Sequence, residues 1–270
     1  QLALQDLEGE FYLSEEDKGQ LDDWFFLLNL GYRHTALGNS DTHGITSIES
    51  GCPRNFVVSP VDEPEFIDER DVALAVKEHR VVPSYGPLIR MSIDGHGVGS
   101  DVANSSGQAT LSLEVQAPRW MRVDRVELYE NGTLIREFEG AEIDPDAVVK
   151  LSTDTVVMPR DEEGNPVDAW YVAVALGDQD LAPLFTPVDI PRLEFSDIVL
   201  GAVGSFDLPI DVSGFVGAGP AHPRRFDVLP YALTNPIWLD IDGDTDGDGQ
   251  AFEALGRMPS WFRAPPASGD

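Results

Sequence analysis

Cysteine, lysine and long apolar runs are scarce in this sequence, and each shortage excludes a class of structure. Cys52 is the single cysteine among the 270 residues, so no disulfide forms within the chain. No apolar run reaches the roughly 18 residues that cross a membrane, and the most apolar stretch, Trp24 to Leu30, is far shorter. The chain begins at Gln1 without a signal peptide, so we expect a mature or partial product whose upstream residues are missing.

Positive charge is equally scarce. Arginine and lysine together number 18 against 48 aspartates and glutamates, which gives a formal net charge of −30. Because phosphate binding requires a basic surface, we expect neither nucleic acid nor an anionic membrane as a partner. The lysines are only Lys18, Lys77 and Lys150. An acidic surface with so little lysine is typical of a saline or extracellular setting, although a bias in genomic base composition would also favour arginine over lysine.

The first 89 residues alternate between helix and strand patterns. Leu21 to Leu30 predicts an apolar helix that a following glycine ends. Thr35 to Gly38 predicts a short strand, and a second helix follows an acidic loop with Asp68 as its cap. Val81-Val82 predicts another strand, broken by Pro83. This order indicates β/α organisation with polar residues at the strand ends.

From about residue 90 the pattern becomes one of short alternating segments. Leu111 to Val115 has the period of two that marks a half-buried strand, with its three apolar side chains on one inner face. Val123 to Glu130 and Thr133 to Phe138 flank Asn131-Gly132, a strong signal for a tight hairpin. Trp170 to Leu176 predicts a further strand. We therefore expect an antiparallel β-sandwich over residues 90–200.

Near the end of the chain, residues 242–253 fit the EF-hand calcium loop D-x-D-x-D-G-x5-E at every required position. Ca²⁺ takes about six to eight oxygen ligands. The predicted ligands are Asp242, Asp244, Asp246, Asp248, Gln250 and Glu253. Gly249 stands where a branched apolar residue is usual, and prolines flank the loop, so we expect an EF-hand-like loop outside an EF-hand. The alternative is a solvated acidic turn, but its carboxylates repel one another unless a cation neutralises them.

A second candidate site lies in Gly38-Asn39-Ser40-Asp41-Thr42-His43-Gly44. A carboxylate and an imidazole two residues apart at the end of a strand can face one pocket. Both groups suit zinc, manganese or iron. By itself the D-x-H triplet is weak, because most such triplets are caps or turns.

The order of several motifs resembles the end of a PHP (polymerase and histidinol phosphatase) metallohydrolase domain, most of all the branch with the CehA/McbA-like carbamate hydrolases. The motifs are Trp24 to His43, Gly51 to Val57, Ala73 to Arg90 with its Pro83-Ser84-Tyr85-Gly86-Pro87, and Ala232 to Trp238. The resemblance implies a distorted β/α barrel with two or three divalent metals. It also implies hydrolysis of phosphoesters, other esters or carbamates, with Asp41 and His43 as the last D-x-H metal pair.

One departure from the family is large. The family's first ligands form an H-x-H pair on the opening strand, and no histidine pair of this kind occurs in the sequence. Either another chain or a missing upstream segment supplies these ligands, or the protein keeps only a remnant of the site. In a complete site, Asp41 would bind metal or accept a proton from water, and His43 would bind metal. Arg54 and Tyr85 would contact a small-molecule substrate at the rim, although ordinary surface or packing roles are the simpler explanation for both.

These signals combine into one prediction for the chain. Residues 1–89 form the C-terminal part of a PHP-like domain, residues 90–200 a β-sandwich, and residues 201–270 a region with the calcium loop. The predicted function is that of a secreted hydrolase, extracellular or periplasmic, which is incomplete on this chain. The alternative is a non-catalytic extracellular calcium-binding module that retains a remnant of the PHP segment.

Overall fold

The computed structural model describes residues 19–40, 51–182 except 105 and 162, 184–185, 188–189, 225–226 and 228–241. The chain divides into two compact units, one of Gln1–Gln179 with Leu229–Asp270 and one of Asp180–Val228. In the second unit, the amide of Leu181 donates to the carbonyl of Val228 (2.9 Å), and a short antiparallel strand pair is formed. The candidate sites of the described chain lie in the first unit.

The described elements are mostly strands. The α-helices are α1 (Gln20–Asn29) and α2 (Glu69–Lys77), and short 3-10 turns occupy Pro64–Phe66 and Gly140–Glu142. The strands are β1 (Arg54–Val57), β2 (Val81–Ser84), β3 (Leu88–Ile93), β4 (His96–Gly97), β5 (Asp101–Ala103), β6 (Ala109–Gln116), β7 (Arg125–Glu130), β8 (Thr133–Glu139), β9 (Val149–Val157), β10 (Ala169–Leu176), β11 (Val188–Asp189), β12 (Arg225–Phe226), β13 (Tyr231–Leu233) and β14 (Ile237–Asp240).

The larger sheet is built around β10, whose residues are almost all buried. Its strands run in the order β1-β2-β13-β10-β14-β5, and β7 pairs with the other edge of β10 and with β8. Every pairing in this sheet is antiparallel except that of β14 with β5. The sheet therefore joins strands from all three of the segments into which the sequence was divided.

The smaller sheet has the order β4-β3-β6-β9 and shows the alternation expected of a half-buried sheet. Leu111, Leu113 and Val115 of β6 are buried, as predicted, whereas the residues between them are partly exposed. Leu113 pairs with Met91 of β3, which is also buried. The buried face contacts the larger sheet, since β3 approaches β2, β10, β13 and β14.

Helix α1 packs on a face of the larger sheet. Phe25 and Leu28 are buried in one cluster with the aromatic side chains of Tyr129, Trp170 and Trp238. Asn29 of the helix accepts a hydrogen bond from the indole Nε1 of Trp170 (2.8 Å). The apolar helix predicted over Leu21 to Leu30 therefore packs on the sheet through Phe25 and Leu28.

Local predictions of helices and turns are confirmed. The second helix begins after Asp68, whose Oδ1 accepts a hydrogen bond from the amide of Arg70 (2.8 Å). Asn131 and Gly132 join β7 to β8, with φ angles of 51° and 82°. Two positive φ values in a two-residue loop are the signature of the type I′ turn that Asn-Gly favours.

The predicted end of a PHP-type β/α barrel is wrong. Such a barrel needs parallel strands with a helix after each, but the strands of the described chain pair antiparallel apart from β5 with β14. The order β1, α2, β2 along the chain is that of a β/α unit. The two strands nevertheless pair antiparallel, with Arg54 opposite Ser84. Pro83 does not break its strand either, because it lies within β2 opposite Asn55. The two sheets, antiparallel apart from β5 with β14, are compatible with a β-sandwich, but one that also takes strands from outside the predicted residues 90–200.

Candidate functional site

The segment of residues 32–40, which leads to the predicted metal pair, is held by two asparagine side chains instead of a neighbouring strand. The Oδ1 atom of Asn55 accepts from the amide of Gly38 (2.9 Å), and its Nδ2 donates to the carbonyl of Gly38 (2.8 Å). Asn235 does the same at Ala36, with distances of 2.8 Å and 3.0 Å. Residues 35–38 therefore do not form the predicted strand, and their backbone is paired by side-chain amides instead.

Asn235 also joins the segment to the larger sheet. It is fully buried between β13 and β14, and its Nδ2 donates a second hydrogen bond to the carbonyl of Val81 in β2 (2.8 Å). Both donor hydrogens of the amide and its oxygen are thus used. This one side chain fixes the segment against the centre of the fold.

Glycine at position 38 allows the segment to lie directly on the β1–β2 pair. A Cβ atom built on Gly38 would be 3.1 Å from the Cβ atoms of both Pro53 and Pro83. A larger residue would push the backbone away from these prolines and lengthen the hydrogen bonds to Asn55. Close packing therefore complements the amide pairing.

The start of the segment is fixed by charge. The Arg33 guanidinium forms two contacts with the Asp101 carboxylate, of 3.0 Å and 2.8 Å, and lies 4.4 Å from the ring centroid of Trp238. The indole Nε1 of Trp24 donates to the carbonyl of His34 (2.8 Å). Paired contacts between planar groups restrict orientation as well as distance, so the backbone from 33 to 38 has little freedom.

The structure brings part of the sequence-predicted site together. Arg54 is exposed at the start of β1 and pairs in register with Ser84, so Tyr85 follows directly at the same end of the β1–β2 pair. The amide of Tyr85 donates to the carbonyl of Tyr231 (2.7 Å), and its side chain is half-buried. Asn39 reaches this end as well, because its Oδ1 accepts from Asn55 (3.2 Å). Both rim candidates therefore lie at the strand ends beside the segment.

The predicted metal ligands Asp41 and His43 lie outside the described residues. Within the part of the chain that the structure describes, no group of three or more His, Cys, Asp or Glu side chains could hold a metal ion.

The predicted calcium ligands, residues 242–253, also lie outside the described residues. The residues just before them are well fixed. Strand β14 ends at Asp240, and both Ile241 and Asp168 are buried. The amide of Ile241 donates to Oδ1 of Asp168 (3.1 Å). Ile241, the last described residue before the loop, is therefore anchored beside the beginning of β10.

Comparison with known proteins gives no relative: no family model matches the chain, and neither the curated proteins nor the solved structures contain a match.

None of the described helices is both long and apolar enough to cross a membrane.

Sequence reasoning missed the residues that hold the segment. Asn55 and Asn235 lie in motifs that were noted, yet neither was singled out. A usable signal existed for Asn235, which with Thr234 interrupts the otherwise apolar run from Tyr231 to Trp238. A polar residue in such a run is expected to be buried, and a buried amide needs partners.

Proposed function

We propose that this chain is part of a secreted metal-dependent hydrolase of phosphoesters, esters or carbamates, to which it contributes Asp41 and His43. The observation that carries the proposal is that the side chains of Asn235 and Asn55 each form two hydrogen bonds with the backbone, at Ala36 and Gly38 respectively. These bonds fix the backbone just before the D-x-H pair. Ligands of a catalytic metal have to be held within about 0.5 Å of their productive positions, and a rigid preceding segment provides such support.

A divalent zinc, manganese or iron ion would lower the pKa of a bound water and stabilise the charge that develops during hydrolysis. The Asp41 carboxylate and the His43 imidazole are suitable donors for these ions. Arg54 would bind an anionic or carbonyl oxygen of the substrate, and the hydroxyl of Tyr85 would orient it. Two ligands are fewer than the roughly three that a catalytic zinc needs from protein, so the remaining ligands would come from an upstream segment or another chain.

The proposal predicts that Asp41→Asn and His43→Gln each lower the transition-metal content and the hydrolytic rate of the native full-length protein by at least about tenfold. Metal analysis and turnover of nitrophenyl phosphate and ester substrates measure the two effects. His34→Gln, in the same segment but exposed, is the matched control and should leave both values unchanged. Residues 1–270 alone should show no turnover. Robust activity of that fragment, or full metal content in both variants, would refute the proposal.

A second candidate function is a non-catalytic extracellular module in which a calcium loop stabilises the end of the chain. The hydrogen bond that fixes Ile241, the residue before the loop, to Asp168 favours it, because a fixed backbone reduces the entropy lost on closing the loop around an ion. In that case the variants at Asp41 and His43 would change neither metal content nor any activity, while calcium removal would still destabilise the protein.

A further inference from the structure

Two loops meet at the end of the β1–β2 pair that carries Arg54. The loop after β2 is a tight turn, in which the hydroxyl of Ser84 accepts from the amide of Gly86 (2.7 Å) and donates to the carbonyl of Pro87 (2.5 Å). A Cβ atom built on Gly86 would collide with Sδ and Cε of Met121. The Met121 side chain therefore lies directly on this turn and joins the loop between β6 and β7 to it.

The loop between β6 and β7 contains an exposed turn at residues 118–121. The amide of Met121 donates to the carbonyl of Pro118 (3.0 Å), so Arg119 and Trp120 occupy the two central positions. Both side chains are exposed, and the exposed fraction of Trp120 is 48% although tryptophan is highly buried on average. The 118–121 turn thus presents an arginine and an aromatic ring beside Gly86.

Arg54 is directed to the side on which the two loops meet. It is paired with Ser84, and directly paired residues of neighbouring strands have their side chains on the same face. The Ser84 hydroxyl is bound by Gly86 on that face. Asn55, the next residue of β1, points to the opposite face, where it binds Gly38. The guanidinium group of Arg54 is therefore on the side of the 118–121 turn.

The arginines at this place are unusual because they lack partners. Among the arginines whose side chains the structure describes, only Arg54, Arg70 and Arg119 form no hydrogen bond or ion pair through the guanidinium group. Arg122, just after the turn, pairs with Asp124 (3.2 Å). Acidic residues outnumber basic ones by 48 to 18, so two unpaired arginines at one place are an exception. They are available to an anion from outside the chain.

The charge of the protein limits the size of that anion. At a net charge of −30 the chain repels a polyanion, but charges more than about 8 Å away are largely screened at physiological ionic strength. A small ligand with one or two negative charges therefore responds mainly to the nearby arginines. Guanidinium groups match the oxygens of phosphate and carboxylate, and the face of an aromatic side chain matches a planar ring. The combination fits a small anion that also carries such a ring.

We propose that Arg54, Arg119 and Trp120 form a binding site for a small organic anion with a planar ring, such as an aryl phosphate or an aryl carboxylate. The two guanidinium groups bind the anionic group, and the indole of Trp120 stacks on the ring. Identification of this ligand as the substrate rests on the proposed function, in which Arg54 contacts substrate. Binding itself depends on the described residues alone.

The test is calorimetric titration of the full 270-residue chain with phenylphosphonate, which carries the ring and the anion and has no ester bond to hydrolyse. Inorganic phosphate lacks the ring and benzyl alcohol lacks the charge, so each should bind at least about fivefold more weakly. Arg54→Gln, Arg119→Gln and Trp120→Ala should each weaken phenylphosphonate binding by about fivefold. Because all three side chains are exposed, the melting temperature should not change.

Arg70→Gln is the matched control, since Arg70 is also exposed and has no partner among the described residues but lies in α2, which follows the other end of β1. It should leave the affinity unchanged. Trp120→Phe retains an aromatic ring and should restore most of the affinity lost in Trp120→Ala. The inference would be overturned by absence of phenylphosphonate binding, by equal binding of phosphate or benzyl alcohol, or by an equal loss in Arg70→Gln. Neither metal nor hydrolysis enters these measurements, so they can fail while the proposed function stands, and the reverse.

Discussion

Replacement of Asn235 by leucine is expected to lower the free energy of unfolding by about 3 kcal/mol. Leucine has a similar volume, so the change removes hydrogen bonds without creating a large cavity. It leaves the buried carbonyl of Val81 without its partner, and it also removes the two hydrogen bonds to the amide and carbonyl of the partly buried Ala36. Each buried polar group that loses its partner costs about 1–3 kcal/mol. Chemical denaturation of both proteins measures the difference.

Asn55→Leu is the matched control for that prediction. It removes the equivalent pair of hydrogen bonds at Gly38, but Asn55 is only partly buried, so water can replace the lost partner. We expect a loss of about 1 kcal/mol. Equal effects of the two substitutions would show that burial of Asn235 does not determine its contribution to stability.

Removal of calcium is expected to lower the stability of the protein by about 2.7 kcal/mol when the free ion had been a hundredfold above its dissociation constant. The cause is repulsion among the carboxylates of Asp242, Asp244, Asp246 and Glu253, which an ion at about 2.3–2.6 Å would neutralise. Thermal unfolding with calcium and with excess chelator measures this change. Glu253→Gln should reproduce the effect of the chelator in the presence of calcium.

Glu65→Gln is the control for charge alone, because Glu65 is an exposed glutamate far along the sequence from the loop. It reduces the net negative charge by the same amount and should leave the calcium dependence intact. A melting temperature that is the same with calcium, with chelator and in Glu253→Gln would leave the solvated acidic turn as the explanation of residues 242–253.

The features that the sequence predicted correctly are local ones. Helix α1, the cap at Asp68, the buried face of Leu111 to Val115 and the turn at Asn131-Gly132 each depend on residues a few positions apart. Propensity, capping and periodicity act over such distances. They determine which residues are buried and where the chain turns.

Strand pairing could not be obtained in this way. A period of two shows that one face of a strand is buried, but not which strand lies beside it or in which direction. The sequence order β1, α2, β2 was thus compatible with a parallel barrel, whereas the register between Arg54 and Ser84 is antiparallel. The hydrogen bonds between Asn235 and Ala36 could not be predicted for the same reason, since the two residues are 199 positions apart.

That separation has a consequence for synthesis on the ribosome. At about 5–20 residues per second, roughly 10–40 seconds pass between translation of Ala36 and translation of Asn235. During this interval the amide and carbonyl of Ala36 have no access to the side chain that satisfies them in the finished protein. The nascent segment is then exposed to chaperones, proteases and neighbouring chains, and its order is established only after almost the whole described sequence has been made.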